Sequence, residues 1–161
     1  MKDELTELLN PESFRLLVEH NLAVARRQGR VDTLLVIDVA GLEAVNDEFG
    51  RAGGNVTLRA IARLLRRTAR DSDVLGRLGP HAFAVYALDC VGDGLAKRIS
   101  DAVSRTPDRL TEMTIRQLSV ELKIALTEVE PGETFDALSQ RATPAANVLL
   151  GGAERSPSGA A

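Results

Sequence analysis

Two short stretches of this chain carry side chains able to do chemistry. The first is the end of the apolar run Leu34-Leu35-Val36-Ile37 at Asp38, together with the tight turn Gly79-Pro80-His81-Ala82. A strand end beside a hairpin tip can host phosphate or metal-ion chemistry, provided it supplies enough oxygen ligands. Magnesium asks for octahedral oxygen coordination, and two-metal phosphoryl transfer needs several carboxylates to place the ions. Asp38 alone cannot do this. His81 is a nitrogen ligand suited to zinc and other transition metals, and with Asp38 it makes at most a pair. No metal site and no other cofactor is therefore expected, and the plainer reading of His81 is an exposed turn histidine. The second stretch is Arg70-Asp71-Ser72-Asp73, which sets a guanidinium three residues from a carboxylate. On spacing alone it reads as a solvated ion pair at a helix end, worth about 0 to 1 kcal/mol.

Composition narrows the functional classes. At 161 residues, with 44% hydrophobic and 27% charged residues, the chain fits one globular domain with its own core. A net charge of -3, no Trp and a single Tyr leave little to attract or stack on a nucleic acid, so none is expected as a partner. Arg59, Arg63, Arg66, Arg67 and Arg70 crowd one helix, as a solvated face or a local anion site. Cys90 is the only cysteine, which rules out an internal disulfide or thiolate cluster and suits a reducing cytoplasm. It reads as core filler. Lys2 and Asp3 directly follow Met1, and no run of eighteen apolar residues occurs, so neither a signal sequence nor a membrane span is expected.

The elements that must position these residues follow from periodicity. Asn10-Pro11 opens a helix whose Phe14, Leu17, Val18, Leu22 and Ala25 recur at helical spacing, and Gly29 ends it. Thr33 to Val39 is a strand, Leu42 to Phe49 a short helix, and Gly50 to Gly54 a flexible turn. Val56, Leu58, Ile61, Leu64 and Leu65 then form the apolar stripe of the arginine-bearing helix. Val74 to Leu78 and Ala82 to Leu88 make a hairpin, Gly94 to Ser104 a helix, and Leu118 to Val129 contains a half-exposed strand. Thr134 caps a last helix with Phe135, Leu138 and Ala142, which Pro144 kinks or ends. Residues 1–152 form the domain, and the Gly, Ala and Ser-rich residues 153–161 form a mobile tail. The class is α+β, a mainly antiparallel sheet flanked by helices.

Four segments in order, Asp3-Glu-Leu-Thr-Glu-Leu-Leu-Asn10, Leu35-Val-Ile-Asp38, Val45-Asn-Asp-Glu-Phe-Gly50 and Arg77-Leu-Gly-Pro-His-Ala-Phe83, resemble the landmarks of the GGDEF family, the diguanylate cyclases. The resemblance runs from about residue 3 to 150. It implies a five-stranded sheet with a ferredoxin-like, nucleotide-cyclase-like core. Cyclases of the family join two GTP molecules into cyclic di-GMP using divalent metal. Their hairpin tip reads Gly-Gly-Asp/Glu-Glu-Phe, whereas here Pro80, His81 and Ala82 stand between Gly79 and Phe83. By the same resemblance Ala40, Glu43 and Arg51 replace an Asp, a Lys and a His. Asn46 is kept, Asn55 replaces the Asp that pairs with guanine, and Leu150 and Glu154 stand near a Lys and an Arg.

Arg70 and Asp73, in contrast, lie at the register of the family's inhibitory site, which binds cyclic di-GMP, and Arg98 matches its second arginine. The chemistry suits that ligand. An arginine fork donates to guanine O6 and N7, and a carboxylate accepts from N1 and N2, a pairing that rejects adenine. The expectation is thus a degenerate domain, not an enzyme, that acts as a cyclic di-GMP receptor and signals to a protein partner. Alternatives are a ligand-independent interaction module that docks an acidic partner on the arginine helix and, last, residual GTP chemistry. The chain opens almost directly on Asp3-x-Leu5-Thr6, so no upstream sensor is expected, and a ligand-bridged homodimer is left open.

Overall fold

A computed structural model describes residues 1–91, 94–105, 120–142 and 148–150. The elements run α1 (Pro11–Gln28), β1 (Thr33–Ala40), α2 (Leu42–Phe49), α3 (Arg51–Thr68), β2 (Val74–Gly79), β3 (Ala82–Ala87), α4 (Gly94–Arg105), β4 (Glu121–Glu128), α5 (Phe135–Arg141) and β5 (Val148–Leu150). The sheet has five strands in the order β2-β3-β1-β4-β5, and every pairing is antiparallel. β1 is central because its apolar run offers both faces to a core. Leu35, Ile37 and Val39 face one side, where Leu58, Ile61, Leu64, Phe83, Leu95 and Ile99 close the larger core. Leu34 faces the other, against Phe14, Val18, Tyr86 and Leu138. The alternation follows from the two-residue period of a strand.

Local signals act as expected at several ends. The Asn10 side chain accepts from Ser13 N–H, Gly29 closes α1 in the left-handed conformation, and the Thr134 side chain accepts from Ala137 N–H. On α1, however, Leu17 is 44% exposed, while Phe14 and Val18 are buried. Only a narrow stripe of this helix meets the sheet. Phe14 lies across β2 at Gly76, where an added Cβ would come within 2.5 Å of the ring. Full burial of such a ring contributes about 2 to 3 kcal/mol.

The stretch Gly50 to Gly54 is not a flexible turn. Gly50 alone makes the junction, at φ 78, and α3 begins at Arg51, so Gly53 and Gly54 lie within its first turns. The physical reason is packing. α2 presses so closely on α3 that a Cβ on Gly53 would lie 2.7 Å from Phe49 Cβ, and one on Gly54 would overlap Asn46 Oδ1. The expected kink at Pro144 and the expected tail, residues 153–161, lie outside the described residues, as does Glu154. Leu150 falls in β5.

Candidate functional site

Arg70 and Asp73 flank the turn between α3 and β2. Arg70 N–H donates to Asp73 Oδ2 at 2.9 Å, and Asp73 N–H donates to the Arg70 carbonyl at 2.9 Å. The guanidinium does not settle on this carboxylate, since Nε lies 4.0 Å from Oδ2. Arg70 Nη2 instead donates to the Leu88 carbonyl at 3.2 Å, while Leu88 N–H donates to Asp73 Oδ1 at 3.3 Å. Both side chains therefore converge on one backbone unit just past β3. The Asp73 side chain is wholly covered, whereas that of Arg70 is 49% exposed. The ion pair expected from the spacing is present but long and solvated on the arginine side alone, and the covered carboxylate also organises backbone N–H groups. Arg98 stands exposed on α4, which packs against α3.

At the other end of the sheet, Asp38 is exposed and pairs in register with Ala82 of β3 and Lys123 of β4. The His81 carbonyl accepts from Val39 N–H at 2.8 Å, which fixes the hairpin tip beside this strand end. His81 and Pro80 are exposed, and Gly79 and Ala82 half-buried. Arg77 grips the tip from within, donating from Nε to the Gly79 carbonyl at 3.1 Å and from Nη2 to the Pro80 carbonyl at 3.2 Å. Its Nη1 meets the Asp3 carboxylate at 3.0 Å, and Asp3 also accepts from Thr6 N–H and O–H at 2.8 Å each. Burial raises the Asp3 pKa, but the Thr6 bonds and Arg77 outweigh it and hold it below the usual carboxylate range. Asn46 is exposed on α2 and Asn55 half-buried on α3, one helical step past Gly54. Among the described residues no group of three or more His, Cys, Asp or Glu could hold a metal ion. This donor set does not fit a magnesium pair.

The order of these parts along the chain matches a known pattern. The family model described as "Diguanylate cyclase, GGDEF domain" covers residues 1–149. This chain belongs to the GGDEF family. It is 29% identical over 149 residues to the diguanylate cyclase DgcP of Pseudomonas aeruginosa, a match covering 90% of this chain and 22% of that protein. It is 32% identical over 127 residues to the diguanylate cyclase TpbB of the same species, covering 77% of this chain and 29% of that protein. The chain thus spans under a third of the length of either relative. Among solved structures, the GGDEF domain of TpbB superposes with a TM-score of 0.75 at 27% identity, covering 88% of this chain and 84% of that one. The GGDEF domain of DgcB from Caulobacter crescentus, solved with c-di-GMP, shares the fold with a TM-score of 0.74 at 24% identity, covering 88% and 82%.

This kinship corrects the expectation that the chain is not an enzyme. DgcP and TpbB, related to it over most of its length, are named as cyclases. The expectation weighed single positions, Pro80, His81 and Ala82 at the turn with Ala40, Glu43, Arg51, Asn55, Leu150 and Glu154 elsewhere, whereas the relationship extends over the whole frame that carries them. That frame keeps Asp38 exposed at the strand end.

A further polar centre of this GGDEF domain escaped the sequence reading. Asp32 is fully buried just ahead of β1 and accepts four bonds. They come from Arg30 Nε at 2.8 Å, Arg30 Nη2 at 3.0 Å, Tyr86 O–H at 2.6 Å and Asp89 N–H at 2.8 Å. Burial pushes its pKa up, but Arg30 and then Tyr86 and Asp89 bring it below the ordinary value. Burial, then Asp32, pushes Tyr86 well above its ordinary value. The available signal was one acid before an apolar strand and a lone Tyr in another, but only the pairing of Leu34 with Tyr86 brings them together. On the outer side of the Asp73 turn runs a shallow groove of about 440 Å³, with Lys2, Leu17, Arg66 and Asp71 on its walls. Among the described residues no helix is long and apolar enough to cross a membrane.

Proposed function

We propose that this GGDEF domain, residues 1–152, binds cyclic di-GMP through Arg70, Asp73 and Arg98 and passes that signal to a protein partner in the bacterial cytoplasm. One observation carries the reading: Arg70 donates to, and Asp73 accepts from, the backbone of the same residue, so the pair is set to read a ligand that presents an acceptor and a donor side by side. Guanine offers these groups on two adjoining edges, with O6 and N7 for the arginine and N1–H and N2–H for the carboxylate. The exposed guanidinium and the exposed Arg98 add charge for the ligand's two phosphates. The shared fold holds this ligand in DgcB. The diguanylate cyclase SiaD of Pseudomonas aeruginosa, 25% identical, was solved with its activator SiaC, which supports a protein partner for the fold.

Docking of an acidic partner on the α3 arginines has weaker support. Arg66 donates to the Thr6 carbonyl, and Arg63 and Arg67 also have partners within the molecule. Titration calorimetry with cyclic di-GMP tests the proposal. Binding at tens of micromolar or tighter is expected, weakened about tenfold or more by Arg70→Ala. Silence up to that concentration, or equal affinity in the variant, would refute it.

A further inference from the structure

The Arg70–Asp73 pair already holds a partner, and its identity bears on how the site is regulated. Leu88 presents one carbonyl acceptor to the Arg70 guanidinium and one N–H donor to the Asp73 carboxylate. Guanine presents the same two kinds of group, on adjoining edges, to the same two side chains. We infer that the Leu88 backbone stands in for guanine in the ligand-free domain, so that cyclic di-GMP binds by displacing it. The inference rests on the function proposed above and adds a mechanism of self-competition to it.

Three observations support the exchange. Both Leu88 bonds are long, at 3.2 and 3.3 Å, toward the weak end of the hydrogen-bond range. The Asp73 side chain is wholly covered, so a base cannot reach its carboxylate until something moves. The loop beyond Leu88 is anchored far more firmly. Asp89 N–H donates to Asp32 at 2.8 Å, Cys90 N–H to the Val31 carbonyl at 2.9 Å, and Thr33 O–H to the Cys90 carbonyl at 2.6 Å. Asp89 itself sits at φ 51, a left-handed conformation uncommon for a residue with a Cβ. The weak contacts and the strong ones therefore meet at the Leu88–Asp89 peptide. Because the Leu88 carbonyl shares its planar peptide with the Asp89 N–H, ligand binding moves the Arg70 guanidinium off that carbonyl and frees the Leu88 N–H, while Asp32 and Thr33 hold Asp89 and Cys90 in place.

The test is residue-resolved amide hydrogen exchange by NMR with and without saturating cyclic di-GMP, with binding confirmed by calorimetry on the same sample. The Leu88 amide should exchange at least about tenfold faster in the complex, while Asp89 and Cys90 keep their protection. Ligand that binds and leaves Leu88 as protected as before, or more so, overturns the inference while sparing the proposed function. A sample that does not bind at all overturns both. A second arm replaces Leu88 by its α-hydroxy acid, which deletes the N–H and leaves the side chain unchanged. Affinity should rise several-fold, and unchanged or weaker binding contradicts the displacement.

Discussion

The Asp3 carboxylate meets Arg77 Nη1 at 3.0 Å across 74 positions of sequence, and the same guanidinium holds the carbonyls of Gly79 and Pro80. The amino-terminal segment thereby braces the hairpin tip from behind. Leu9 adds a second tie, donating to the Leu75 carbonyl and accepting from Arg77 N–H. Arg77→Ala should cost about 2 kcal/mol, since it removes charge-assisted bonds from partly buried acceptors. Asp3→Asn should cost less, because the turn carbonyls keep their donor. Urea denaturation of the two variants gives the order, and a larger loss for Asp3→Asn contradicts this account of the tip.

Asp32 accepts four hydrogen bonds while fully buried, and removing its charge strands a guanidinium that is itself mostly covered. Asp32→Asn should destabilise the domain by about 3 kcal/mol. Its pKa in the folded state lies below the ordinary 3.8. Its stabilising contribution is thus complete above that ordinary value and is lost as pH falls through the lower, folded one. Stability measured from about pH 5 down to pH 2 should fall less steeply in the variant than in the parent chain.

Tyr86 supplies the opposite limb. Its folded pKa is raised from 10.0, so the contribution is complete below that value and is lost as pH climbs toward the folded one. Tyr86→Phe should cost about 1 to 2 kcal/mol at neutral pH, because one donor to a buried carboxylate disappears. It should also flatten the alkaline limb of thermal stability, and an alkaline limb identical to the parent's would count against the Tyr86–Asp32 bond.

Two glycines should respond differently to alanine. At Gly76 the new methyl would press on the fully buried Phe14 ring, 2.5 Å away, and should cost about 1 to 3 kcal/mol. At Gly54 the obstacle is the tip of Asn46, an exposed side chain that can swing aside. Alanine also favours the helix by up to about 1 kcal/mol. Gly54→Ala should therefore leave stability near that of the parent while moving Asn46. Thermal melts of the two variants separate these cases.

The sequence made the frame readable wherever a local rule governed it. The apolar run of β1, the Asn10 and Thr134 caps and the Gly79 to His81 turn each carry their signal within a few residues. Features set by distant contacts were hidden. Gly53 and Gly54 read as a flexible turn because the close approach of α2, which a side chain at Gly53 would meet at Phe49 Cβ, leaves no local signal. Leu17 looked like core because helical spacing does not reveal how wide a face the sheet covers. Arg70 and Asp73 were visible as a spacing, yet their meeting at Leu88 was not, since backbone groups have no signature in the sequence.

A crystal structure with cyclic di-GMP tests the central claim most directly. A guanine should lie with O6 and N7 on Arg70 and its N1–H and N2–H on Asp73, with Arg98 toward a phosphate. A ligand seated instead in the groove beside Lys2 and Arg66, or at the strand end by Asp38, with Arg70 still on the Leu88 carbonyl, would contradict it.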